Sequence, residues 1–321
     1  MRLIKQTIAV TGVALTLSLT GCGLGGETET TTDVGAGDNT QEGALDGVSV
    51  DVGSKDFDEQ LILGQLTLLT LKAAGADVAD KTNIQGSTQA RTDLMKQEID
   101  VYWDYTGTGW INFLGHDELI TDAEEQYEKV KAEDLKENDL VWGERAPFNN
   151  TYSMAPTQAF AEENGIETLS DMATYIKEND DYTVCVESEF ATRPDGLPAL
   201  EKTYDISIPE SNIKTLGTGV IYPQIENGTC TFGEIFTTDG RIAALGLLAL
   251  EDDKTAFPIY NGVPVTNAKN PEGDKIQEVL APLAEKLTTE VMTDLNAKVS
   301  GEGLPPDRVA EEYLKEEGFI G

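Results

Sequence analysis

The sequence predicts an α/β protein built of two lobes, and three observations carry that expectation. The chain has 321 residues, enough to bury a sizeable core and to divide into two units. Strand-like runs are followed repeatedly by segments with the apolar period of a helix, the pattern of a mainly parallel sheet. Three strand ends run into glycine- or hydroxyl-rich turns, at residues 53–55, 86–88 and 105–109, and ligands of such sheets sit beyond the strand C-termini.

Taken in order, residues 48–52 (V-S-V-D-V) alternate as a first strand, and 61–74 has the leucine and isoleucine spacing of a helix. Between them, G-S-K-D-F-D-E-Q (53–60) places backbone N–H groups and Lys55 at a helix N-terminus, a natural place for an anion. Asp56 and Asp58 are equally plain helix-start residues, and the residues alone favour that blander reading. A short strand at 81–84, a helix at 89–98 and a strand at 99–103 follow. The stretch V-Y-W-D-Y-T-G-T-G-W (101–110) then packs four aromatic rings, one carboxylate and two glycines into a single loop. Rings attract a cation to their faces, and Gly107 and Gly109 let backbone approach a neighbour or ligand closely. That loop reads as one wall of a binding site, with a core strand–turn as the alternative.

Beyond it, 122–137 is a charged helix expected to be solvated. A helix at 168–179, a buried strand at 182–186 and a turn-rich loop entering a helix at 190–200 come next. A short helix at 221–226 precedes a strand at 230–236, and helices at 275–287, 289–298 and 306–317 close the chain. No internal repeat is present.

Composition excludes more than it selects. The 23 basic against 58 acidic residues give a formal net charge of −35, which argues against nucleic acid or an anionic membrane surface as a partner. At the N-terminus, Arg2 and Lys5 precede a short apolar run at 8–19 and then L-T-G-C. This is an export signal, too short to span a bilayer. Its ending is similar to a bacterial lipobox, implying a signal peptide over 1–21 and lipid on Cys22, so that the protein is anchored without spanning. Residues 23–46 hold almost no large apolar side chain and read as a flexible tether. Cys185 and Cys230 remain as an even pair in an exported chain, for which a disulfide is the default. They are too few for a zinc site, and His116, the only histidine, is assigned to structure. With no G-x-S-x-G elbow and no metal cluster, a lipid-anchored hydrolase is disfavoured; neither catalysis nor a cofactor is expected.

Seven motifs in order give the chain a family resemblance over about residues 48–318. They are G-S-K-D-F-D-E-Q-L-I-L-G (53–64), D-Y-T-G-T-G (104–109), N-N-T-Y (149–152), R-P-D-G-L-P (193–198), T-D-G-R-I (238–242), L-E-D-D (250–253) and F-P-I-Y-N (257–261). The chain resembles the substrate-binding proteins of ABC importers for quaternary amines such as glycine betaine, choline and carnitine. The resemblance implies a two-lobed periplasmic-binding-protein-like fold (type II) with the ligand cleft between the lobes. Lobe one would be 47–148 plus 260–321, and lobe two 149–259. It also implies a box of rings around a trimethylammonium group, from Tyr105, Tyr152, Phe236 and Tyr260, with a main-chain carbonyl from Asn150. Phe236 departs from the family, which usually carries tyrosine before T-D-G. The ligand's carboxylate or hydroxyl end would meet Lys55, Thr108 and Arg193, with Gln60 a weaker candidate. Implied partners are the ligand, an ABC permease with its ATPase, and the membrane through the N-terminal lipid, on the extracytoplasmic side. The alternatives are a binding protein for another quaternary amine, such as ergothioneine or carnitine, and a ligand-sensing lipoprotein uncoupled from transport.

Overall fold

Two β-sheets with helices packed on them carry the architecture of the computed structural model, which describes residues 34–321. The export signal, Cys22 and the start of the tether lie outside the described residues. The chain opens with β1 (Ser49–Lys55), α1 (Asp58–Ala73), β2 (Asp77–Ile84), α2 (Ser87–Met95) and β3 (Val101–Tyr105), in the expected alternation. It then winds through a wide helical turn at Thr108–Phe113, the charged α3 (Ala123–Asn138) and the short β4 (Leu140–Trp142). The second sheet takes β5 (Tyr152–Ala155), α4 (Gln158–Asn164), α5 (Leu169–Glu178), β6 (Val184–Val186), α6 (Ser188–Thr192) and α7 (Leu197–Tyr204). It is completed by β7 (Ile213–Thr215), α8 (Thr218–Glu226), β8 (Phe232–Phe236) and α9 (Arg241–Ala244). The chain returns as β9 (Gly262–Asn267) and ends in α10 (Gly273–Lys286), α11 (Thr289–Asn296) and α12 (Pro306–Glu316).

The first sheet has the order β2-β1-β3-β9-β4, the second β5-β8-β6-β7. Both are mainly parallel, as expected, with one reversed strand in each. β1 runs parallel to β2 and β3, and β6 parallel to β7 and β8. β9 is antiparallel to β3 and β4, and β5 to β8. The reversed strands β5 and β9 are the ones next to the crossings between sheets, where no βαβ connection imposes a direction.

The two crossings run side by side. Asn149 bridges Asn261, Asn150 N–H donates to the Tyr260 carbonyl at 3.0 Å, and Tyr260 N–H donates to Asn149 Oδ1 at 2.7 Å. Thr151 Oγ1 adds a bond to the Pro258 carbonyl at 3.0 Å. Backbone and side-chain groups of the two crossings thereby pair with one another.

Helix α1 is buried on most of its circumference, with Ile62, Leu63, Leu66 and Leu71 wholly enclosed; β1 and β2 cover one side and α10 to α12 the other. This explains its apolar composition without a clean polar face. Helix α3, expected to be solvated, buries a face through Tyr127, Val130 and Asp134. Asp134 takes a forked pair from Arg91, one arm at 3.0 Å, and accepts Trp142 Nε1–H at 2.8 Å. A charge is tolerated there because it is paired and hydrogen-bonded. Cys185 of β6 is bonded to Cys230 just before β8.

Residues 36–46, expected to be part of a flexible tether, are instead packed on the fold. Ala36 bridges Ile320, Gly37 N–H donates to the Phe319 carbonyl at 3.0 Å, and Leu45 is fully buried with its N–H on the Ala74 carbonyl. One well-placed leucine and backbone pairing with the C-terminus hold residues 36–46, which local composition does not reveal.

Candidate functional site

A cavity of about 680 Å³ opens between the two sheets. On one side lie the ends of β1 and β3. On the other lie the start of β5, the end of β8, and the segment holding Arg193. The motif 101–110 is not a loop throughout: Val101–Tyr105 is a fully buried strand, and the chain turns only at Thr106. A Cβ on Gly107 would stand 2.8 Å from the Ile259 carbonyl and from the Tyr260 ring. Only glycine lets the backbone carrying Thr108 lie against that ring.

Tyr105, Tyr152, Phe236 and Tyr260 all line the cavity, as do Asn150, Lys55, Thr108 and Arg193. Gln60 does not. It is fully buried, and its Oε1 accepts the Lys55 N–H at 3.2 Å, so it braces the strand end from behind. A fifth ring joins the four expected ones. Phe57, the residue before α1, stacks on Phe236 with centroids 5.2 Å apart and planes within 7°, and on Tyr105 at 6.3 Å. Tyr152 stands 5.2 Å from both Phe236 and Tyr260. The rings therefore form one continuous wall, Tyr105–Phe57–Phe236–Tyr152–Tyr260, drawn from both sheets and a crossing. Offset and edge-on arrangements of this kind suit their quadrupoles.

Behind the wall lies Glu59, in the first turn of α1 and 3% exposed. It accepts from Tyr105 Oη at 2.8 Å, Asn150 Nδ2 at 2.8 Å, Thr238 Oγ1 at 2.6 Å and Asn296 Nδ2 at 2.9 Å. Burial pushes its carboxyl above the usual range, and these four donors work against that rise. One ring of the wall, Tyr105, and Asn150 are thus held by a single buried carboxylate.

The cations at the cavity edge are already matched. Lys55 Nζ sits 2.8 Å from Asp104 Oδ1 and 5.1 Å from the Tyr105 ring centre. Arg193 makes a fork to Asp195, Nε–H to Oδ1 at 2.8 Å and an Nη2–H to Oδ2 at 2.6 Å. The same Nη2 reaches Thr108 Oγ1 at 3.1 Å, joining the two sides of the cavity. Ser87, at the start of α2, donates its N–H and Oγ–H to the two Glu189 oxygens at 2.7 and 2.8 Å, a second such tie. Burial pushes the Tyr105, Tyr152 and Tyr260 phenols well up, so they face the cavity as neutral rings.

Sequence reading passed over Phe57, Glu59, Asp104 and Asp195. Phe57 had a signal, a large ring between two aspartates at a helix start, and Asp195 lies inside R-P-D-G. Nothing local marks Glu59 as a hub.

Two sheets, paired crossing strands and a ring-walled cavity between them are the build of a protein that holds a small solute rather than transforms it. The chain matches, over residues 48–316, the family model OpuAC, described as the substrate binding domain of ABC-type glycine betaine transport system. It belongs to that family of substrate-binding proteins, which are not enzymes. Among its relatives is a glycine-betaine-binding protein of Pseudomonas aeruginosa, 34% identical over 84% of this chain and 88% of that one. The glycine betaine-binding protein YehZ of Escherichia coli is 33% identical over 84% of this chain and 91% of its own length. The solved structure of ligand-free YehZ from that organism superposes with a TM-score of 0.62 at 32% identity, covering 84% of this chain and 99% of the other.

Proposed function

We propose that the protein is a lipid-anchored, extracytoplasmic receptor that captures a quaternary ammonium osmolyte in the ring wall and delivers it to an ABC permease. The observation that carries this reading is the continuous wall of five rings with Lys55 and Arg193 at its edge. A quaternary nitrogen has no N–H to donate, so ring faces are its best partners, each worth about 0.5–2 kcal/mol when desolvated. Four or five such contacts and one charge-assisted hydrogen bond are enough for a micromolar constant, about −8 kcal/mol. The glycine-betaine names of the relatives point to the same ligand class.

In this reading lobe one is 47–148 plus 260–321 and lobe two is 149–259, hinged at the paired crossings. Arg193, Thr108 and Lys55 hold the polar end of the ligand, and Asn150 turns its main-chain carbonyl to the cation. The lipobox-like L-T-G-C supports anchoring through Cys22. Among the described residues no helix is long and apolar enough to cross a membrane.

Calorimetric titration of the purified domain with glycine betaine, choline, carnitine, proline betaine and ergothioneine tests the proposal. At least one should bind with micromolar or tighter affinity, and indifference to all five would overturn it. Release of the protein from membranes by Cys22→Ser tests the anchor.

A further inference from the structure

The Arg193 guanidinium lies against the ring wall, its centre 5.7 Å from the Tyr152 ring. Yet it does not meet the cavity as a free charge. Two of its donors are spent on Asp195, which is 2% exposed and stands behind it. Asp195 Oδ2 also accepts the Tyr260 hydroxyl at 2.8 Å. One buried carboxylate therefore fixes both a ring of the wall and the arginine at its polar edge. Lys55 is treated alike by Asp104, which is itself held by Tyr102 Oη and by the Tyr105 N–H. Glu189 adds a further negative charge 3.5 Å from Arg193 Nη1. The polar edge thus presents N–H donors with little net positive charge.

We infer that Asp195 is a positioning residue that sets ligand selectivity: by balancing Arg193 it allows an uncharged hydroxyl end to compete with a carboxylate. This rests on the quaternary-amine reading above. The Arg193 Nη1 donors remain for a ligand oxygen. A hydroxyl and a carboxylate both accept from them, but only the carboxylate gains from net charge, and that gain is cancelled by the carboxylate already present. Without Asp195 the arginine would lose its forked partner and keep only the more distant Glu189, and a ligand carboxylate would supply the missing partner.

The test is the ratio of glycine betaine to choline affinity, measured by calorimetry on wild type, Asp195→Asn, Arg193→Gln and the double variant. In D195N the ratio should rise by about tenfold or more in favour of the betaine, the scale of one unit charge acting at short range inside a protein. R193Q should move it the opposite way, because Asp195 is then left alone. The double variant, neutral again, should return to within about threefold of wild type, a recovery expected only if the two charges act as a pair. Since D195N removes the arginine's nearest counter-charge, its melting temperature should also be raised more by glycine betaine than that of wild type. Equal loss of both ligands in D195N, or a double variant with the R193Q ratio, would overturn the inference. A wild-type protein that binds neither ligand overturns the quaternary-amine reading, and this one with it.

Discussion

Replacing Glu234 by glutamine should flatten the loss of stability between about pH 5 and pH 8. Glu234 lies on β8, 3% exposed, and its Oε2 accepts the Glu187 N–H at 2.7 Å. Burial pushes its carboxyl up to about 8 from an ordinary 4.5. The Glu187 N–H and the Arg193 charge oppose that rise, and the charges of Glu187 and Glu189 add to it. The folded protein therefore keeps a proton that the unfolded chain gives up above about pH 4.5. In that window the native state binds more protons, so stability falls as pH rises and the decline ends near pH 8. A displacement of this size corresponds to about 5 kcal/mol at most, using about 1.4 kcal/mol per pH unit; relaxation around the charge reduces it to a few. Glutamine keeps the shape and can accept the same N–H, but does not ionise. Urea unfolding of wild type and E234Q at pH 5, 6.5 and 8 gives the difference directly. The variant should gain on wild type with each step upward. Parallel pH profiles for the two proteins would refute the reasoning.

Three further outcomes follow from single contacts. Removing the Cys185–Cys230 bond by a double alanine substitution opens a loop with a sequence separation of 45 and should cost about 4 kcal/mol in urea unfolding on the chain-entropy scale. Asp134→Ala leaves Arg91 and the Trp142 N–H without their buried acceptor and should cost about 3–5 kcal/mol, read as a lower thermal midpoint. Phe57→Ala removes the ring stacked on Phe236 and should weaken a quaternary amine by roughly threefold to thirtyfold, the worth of one desolvated ring, with calorimetry as the readout.

The sequence made the alternation of strands and helices legible because apolar period is a local property. β1, α1, α2, β6 and the C-terminal helices all fall within or around the expected stretches. The common direction of most strands was legible with it, but the one reversed strand in each sheet was not. β9 and β5 are as apolar as their neighbours, and their reversal follows from the crossings, which no local period encodes. The buried face of α3 was hidden for another reason. Asp134 looks like any surface aspartate until Arg91, 43 residues earlier, meets it. At the cavity, the residues named from ordered motifs came together, apart from Gln60, since each motif puts one side chain at a strand end or turn. What escaped were residues acting on others. Glu59 and Asp195 are defined by partners up to 237 and 65 residues away.

Those hidden carboxylates bear on what the wall admits. A primary ammonium entering the cavity loses its hydrogen bonds to water and needs acceptors in return, at about 1–3 kcal/mol for each buried donor left unmet. Glu59 lies behind the rings, and its oxygens are filled by Tyr105, Asn150, Thr238 and Asn296. Asp195 is filled by Arg193 and Tyr260, and Asp104 by Lys55, Tyr102 and a backbone N–H. The rings are thus backed by negative charge that is already spoken for. A methylated nitrogen has no donors to lose and needs only the π-faces. On the quaternary-amine proposal, selectivity for it arises as much from occupying the carboxylates of Glu59, Asp104 and Asp195 as from supplying aromatic surface.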